Sequence, residues 1–150
     1  MGVAALISWF VTAFVGLYLL AVWLIENDVS HRGAVASRLP GPVISGDILL
    51  ALAGLVIWVI HLLSRSSTLG WTALGTLIAV AVLGLAMFTR WIPVHVAYVT
   101  AESGKHGRML ADYDFPAERA FPLPVVLGHG LLASTTFTLV LLAMLGVAGG

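Results

Sequence analysis

The chain of 150 residues contains no cysteine. That excludes a disulfide framework, a thiolate metal site and a thiol nucleophile. Charge is the second shortage. Asp, Glu, Lys and Arg together are 9% of the residues, where an ordinary soluble domain has about a quarter. The seven basic and seven acidic residues cancel, so neither sign builds a surface for nucleic acid. Chemical signatures are missing too. There is no Gly-x-Ser-x-Gly elbow, no phosphate-cradling glycine loop and no His-Glu-x-x-His helix. The sequence therefore gives enzymatic activity no motif, and the chain reads as a non-enzyme.

What the chain has is apolar residues, 60% of the total, with a mean hydropathy of +1.05. A small domain leaves much of its chain at the surface, so no soluble core could hide this much apolar side chain. The solvent must be lipid. Six of the seven basic residues are Arg and only Lys105 is Lys. With the richness in Ala, Val, Leu and Gly, this points to a high-GC bacterial genome.

Crossing the hydrocarbon takes about twenty apolar residues in a helix. Four stretches meet that length, at about residues 3–25, 44–63, 71–98 and 121–147. The expected fold is an all-α membrane protein, a single domain of four transmembrane helices in an up-down bundle with short loops. The first stretch lacks the basic start of a secretory leader. Ala34-Val35-Ala36 mimics a cleavage site but lies far beyond the apolar run, so an uncleaved helix is expected. Ser45 reads as the N-cap of the second helix, placing Asp47 in a first turn where an acid suits the helix dipole. Pro93 is expected to kink the third helix or end its regular part. Pro122 and Pro124 fit the opening turn of the fourth.

Orientation follows from the basic residues. The two long loops share one side of the membrane and hold Arg32, Arg38, Lys105, Arg108 and Arg119, with Arg90 at the boundary. The other side has Arg65. Basic residues favour the cytoplasm, and acids count for little. Both loops are expected in the cytoplasm and both termini outside, in the bacterial inner (plasma) membrane.

Helical periodicity gives the central hairpin two stripes. Asp47, Gly54, Trp58, His61 and Arg65 fall near one line at roughly 100° per residue. On the next helix Thr72, Thr76, Ala79, Leu83, Ala86 and Arg90 form a second. Small and weakly polar residues mark close helix contact in lipid, so the stripes are expected to face each other. A turn centred near Ser67 pairs Asp47 in depth with about Phe88, and His61 with about Leu74. Asp47 and Arg90 then form a structural ion pair, because an unpaired Arg at membrane depth costs several kcal/mol. His61, set between Thr72 and Thr76, becomes a membrane-buried polar group.

The histidines raise a redox alternative. Two imidazoles at one depth on facing helices can hold a b-type haem where small residues leave room. Gly128-His129-Gly130 supplies the room, and His95 is the partner on the third helix. Their depths match only if that helix runs straight through Pro93. A haem or quinone near His129, His95 and Arg90 is therefore the alternative to hydrogen-bonded packing histidines; no cofactor is the first expectation. No metal is expected either, because His31, His106, Asp112 and Asp114 have no tight ligand spacing. Ser134, Thr135, Thr136 and Thr138 are expected to bond back to the preceding turn.

The functional expectation is an accessory or structural subunit of a larger membrane complex, possessing no catalysis of its own and serving respiration or transport. Trp9, Phe10 and Phe14 on the first span, with Ala133, Thr136 and Ala143 on the fourth, form the expected docking face. A small carrier using Asp47 and Arg90 is the third reading.

Overall fold

The computed structural model describes residues 1–30, 37, 39–103 and 116–146. Four helices dominate: α1 (Gly2–Ser30), α2 (Gly41–Ser64), α3 (Ser67–Ser103) and α4 (Leu123–Met144). A 3-10 turn, Ala117–Ala120, precedes α4. All four helices are long and apolar enough to cross a membrane, and no strand occurs among the described residues. The fold is an all-α four-helix bundle. The α2–α3 hairpin turn lies at one end, called here the turn end. The opposite end, towards the two long connections, is the loop end.

α2 starts earlier than expected. Pro40 occupies the N-cap position without a side-chain cap, and Pro42 sits in the first turn, where its missing N–H costs nothing. Ser45 is already helical and donates its hydroxyl to the Pro42 carbonyl at 3.2 Å. Ser45 is therefore no cap, and Asp47 lies beyond the first turn. α3 passes through Pro93 without ending and continues to Ser103.

The hairpin turn is shorter than the sequence implied. α2 ends at Ser64 and α3 begins at Ser67, which leaves Arg65 and Ser66 between them. Arg65 is left-handed, at φ 58°, and its N–H donates to the His61 carbonyl at 2.8 Å. His61 Nδ1 lies 2.7 Å from the Ser66 carbonyl, and since a carbonyl only accepts, the ring donates.

This tight turn resets the register. Gly54 faces both the Thr76 hydroxyl and the Trp9 ring, and Gly70 faces His61 and Met144. Gly46 faces Leu83, where an added Cβ would stand 3.9 Å away. Asp47 is thus level with Leu83 rather than Phe88, a shift of more than one helical turn. The face of α3 differs as well. Its buried residues are Gly70, Ala73, Leu74, Leu77, Trp91 and Val94, whereas Thr72, Ala86 and Arg90 are exposed. The expected stripe lies to one side of the true core face: Thr76 and Leu83 touch α2 from its edge.

The core gathers at the turn end, where Ala5, Trp9, Leu55, Trp58, Leu77 and Val140 come together. Lipid offers these side chains an apolar medium anyway, so close packing rather than escape from water holds them. Trp58 is fully buried and donates its Nε1–H to the Gly2 carbonyl at 3.2 Å. α2 packs most extensively on α3, and α1 on α4; α3 and α4 touch far less.

Candidate functional site

Polar side chains inside the bundle form three groups at different depths. The first is the seam between α1 and α4. Thr136 Oγ1 is buried, 2.8 Å from Ser8 Oγ and 3.1 Å from Thr12 Oγ1. Thr136 also donates to the Leu132 carbonyl at 2.9 Å, as expected for a hydroxyl bonding back to its own helix. This corrects the expected docking face. Thr136 is the inner contact of α4 with α1, and Trp9, 2% exposed, packs against Gly54 inside the bundle. Ala143 packs against the core cluster. Phe10 and Phe14 do face outward.

The second group closes the loop end around Glu118. Glu118 is fully buried, held between α1 and α3 by the short turn that contains it. Its Oε1 accepts from the Leu39 N–H at 2.7 Å and the Ser37 hydroxyl at 2.8 Å. Ser37 Oγ in turn accepts from Trp23 Nε1–H at 3.0 Å. Trp91 Nε1–H donates to the Glu118 backbone carbonyl at 3.2 Å, and His95 stacks on Trp91 with ring centroids 4.8 Å apart. Glu118, through its carboxylate and its backbone carbonyl, thus ties α1, the segment before α2, α3 and the start of α4 into one plug. The only sequence signal for it is the bracketing of Glu118 by Pro116 and Pro122, which stiffens the backbone on both sides.

The third group lies between the other two. Asp47 sits on the line of Gly54 and Trp58, both buried, and its Oδ1 is buried with no hydrogen-bond partner among the described residues. On α4, His129 shares the line of Thr136 and Val140, again both buried. Its Nδ1 is likewise buried without a partner among the described residues. The imidazole lies over Gly16 of α1, with Cε1 3.2 Å from where a Cβ there would stand.

These placements decide two expected pairings. No ion pair joins Asp47 to Arg90 among the described residues. Arg90 has an interaction of its own, but it sits on the exposed face of α3, seven residues past Leu83. At 1.5 Å per residue that is about 10 Å along the helix from Asp47's level. His95 and His129 are not brought together either. The Gly70–Met144 contact makes His129 level with about residue 85 of α3, so His95 lies some ten residues, or about 15 Å, further towards the loop end. One haem iron could not bind both imidazoles.

His61 and Thr76 are half-buried and lie apart: His61 meets Gly70, Ser66 and the Trp58 ring, whereas Thr76 meets Gly54. His31, His106, Asp112, Asp114 and Lys105 lie outside the described residues. No group of three His, Cys, Asp or Glu side chains positioned to hold a metal occurs among the described residues. No protein-family model, curated protein or solved structure matches the chain.

Proposed function

We propose that this chain is a non-catalytic subunit of a larger bacterial membrane assembly, respiratory or transport, that docks through the outer face of α4. The observation that carries the reading is the chemistry of that face. Gly130, Ser134 and Thr138 recur every fourth residue and are all exposed, with Thr135 beside them. A Cβ at Gly130 would meet nothing within 4 Å. Each hydroxyl is satisfied within its own helix: Ser134 donates to the Gly130 carbonyl, Thr135 to Leu131 and Thr138 to Ser134, each at 2.9 Å. A helix that met only lipid would gain nothing from such a face. Small residues with folded-back hydroxyls let a second helix approach closely, which is how helices associate where no hydrophobic drive separates them from lipid. The inner face of α4 is committed to α1, so the outer stripe is left for a partner.

The same reading keeps both long loops in the cytoplasm and the chain in the inner membrane, on the distribution of Arg and Lys. Purification in mild detergent through a C-terminal tag tests the assembly. A larger complex should be recovered in constant ratio and lost when Ser134→Leu fills the stripe. Recovery solely as a monomer or homodimer in several mild detergents contradicts the proposal. Of the two alternatives, the haem version of a redox anchor loses its ligand pair to the register, and a carrier based on Asp47 and Arg90 loses its ion pair.

A further inference from the structure

Asp47 and His129 stand level in the bundle by three independent routes. Through α1, the Trp9–Gly54 and Gly2–Leu62 contacts place Asp47 opposite Gly16, the residue over which His129 lies. Through α3, Asp47 is level with Leu83 and His129 with about residue 85. Both residues also fall six positions into helices that start at the loop end, Gly41 for α2 and Leu123 for α4, or about 9 Å deep. Both point to the bundle interior, and each carries a buried atom with no hydrogen-bond partner among the described residues. Leaving such atoms unsatisfied away from water costs several kcal/mol each, and titratable groups at this depth mark a functional site by default.

There is room beside them. Gly84 lies on the line of buried Leu77 and Trp91, facing inward at this level, yet an added Cβ would meet nothing within 4 Å. The bundle is closed above and below: Trp9, Trp58 and Leu77 fill the turn end, and Trp91, Leu39 and Glu118 fill the loop end. Of the flanks between neighbouring helices, α3–α4 is the least closely joined, with α1–α2 little closer.

We propose that Asp47 and His129, level and inward-facing beside the open space at Gly84, bind the head group of a lipid-soluble 1,4-quinone or its quinol. The class follows from the chemistry. A ligand arriving through lipid must be apolar enough to dissolve there and flat enough to occupy space left by glycine. It must also present polar atoms at opposite ends to satisfy two separate groups. One hydroxyl of a quinol donates to Asp47 Oδ1 and the other pairs with His129 Nδ1, as donor or acceptor according to the ring's tautomer; the oxidised quinone keeps only a bond from a His129 N–H, so the quinol is the tighter ligand. A metal ion fits less well, since two ligands are too few to hold one here. The proposal concerns binding alone and stands apart from the docking face on α4.

The test uses the whole protein in phosphatidylcholine nanodiscs, with decylubiquinone and menadione as probes. Saturable thermal stabilisation by either quinone is expected in the wild type. Asp47→Asn, His129→Leu and Gly84→Val should each weaken the apparent affinity tenfold or more, whereas the outward-facing Phe14→Leu should leave it unchanged. An azido-quinone provides a readout independent of variant folding: photolabel should concentrate on α2 and α4 peptides containing Asp47 and His129. No saturable stabilisation in the wild type overturns the proposal, as does equal affinity in all variants. Label scattered over the lipid-facing helix surfaces overturns it too.

Discussion

The hydroxyl of Thr76 rests against Gly54, with the Trp9 ring on the same spot from the other side. A Cβ added at Gly54 would stand 2.9 Å from Trp9 Cζ2 and closer still to Thr76 Oγ1. Three helices meet here, and the contact fixes the depth register of α1, α2 and α3 together. Gly54→Ala should therefore lower stability by about 1–3 kcal/mol through overpacking, because neither a buried indole nor a hydroxyl bonded to Ala73 can retreat cheaply. Thermal unfolding in detergent measures it. Paired with Thr76→Ser the loss should remain, since the oxygen stays in place; with Thr76→Ala it should shrink.

The left-handed Arg65 gives a prediction of the opposite sign. A non-glycine residue at φ 58° costs roughly 1 kcal/mol relative to glycine, and Arg65 is exposed with its side chain clear of the core. Arg65→Gly should stabilise the hairpin by a few tenths to 1 kcal/mol, offset in part by the greater freedom of glycine in the unfolded chain. A fall in unfolding temperature would mean that the Arg65 side chain contributes a contact worth more than the backbone strain.

The number, type and approximate limits of the four helices could be read from the sequence because lipid imposes length and apolarity on each span separately. The line through Asp47, Gly54, Trp58 and His61 was also legible, since helical geometry alone sets it. Depth across the hairpin was not. It depends on which residue takes the left-handed conformation, and Arg65 carries no glycine-like signal for that role. An error of a few residues in the turn centre placed Asp47 at Phe88's level instead of Leu83's and implied an ion pair with Arg90 that is absent among the described residues. Glu118 was hidden for a different reason. Its partners, Ser37 and the Leu39 N–H, lie some eighty residues away in sequence, and nothing local distinguishes a buried acid from a solvated one.

The register makes Asp47 and Arg90 thermodynamically independent. Asp47→Ala and Arg90→Ala should have stability effects that add to within about 0.5 kcal/mol in the double variant, as for sites well separated with no shared partner. Thermal or denaturant unfolding of the four proteins in one detergent forms the cycle. A coupling energy of 1 kcal/mol or more would restore the ion pair and overturn the placement of Asp47 opposite Leu83.

Orientation is testable through Lys105, the single lysine of the chain. With the long loops in the cytoplasm, an amine reagent that cannot cross membranes should label it after lysis and not in intact cells. Labelling in intact cells would invert the bundle.

Glu118 separates a hydrogen-bonding role from a need for charge. Its Oε1 takes two short hydrogen bonds, from Ser37 and Leu39, while Oε2 is buried with no partner among the described residues. Glu118→Ala removes the shared acceptor and leaves the Leu39 N–H and the Ser37 hydroxyl only their longer bonds within the 37–39 segment, at 3.1 Å and 3.4 Å, so a loss of about 1–3 kcal/mol is expected. Glu118→Gln keeps an acceptor at the Oε1 position and removes the burden of a buried charge. It should cost less than 1 kcal/mol, since a neutral amide forgoes only the stronger, charge-assisted part of the two bonds. If the glutamine variant fell as far as the alanine variant, the carboxylate charge itself would be required, and a cation would have to lie within reach of Oε2. Comparing the two variants by thermal unfolding, with protease cleavage of the loop end as a second readout, distinguishes these outcomes. The plug that joins Trp23, Ser37, Leu39 and Trp91 should open locally before the turn-end core does, because it depends on one side chain where the core depends on many.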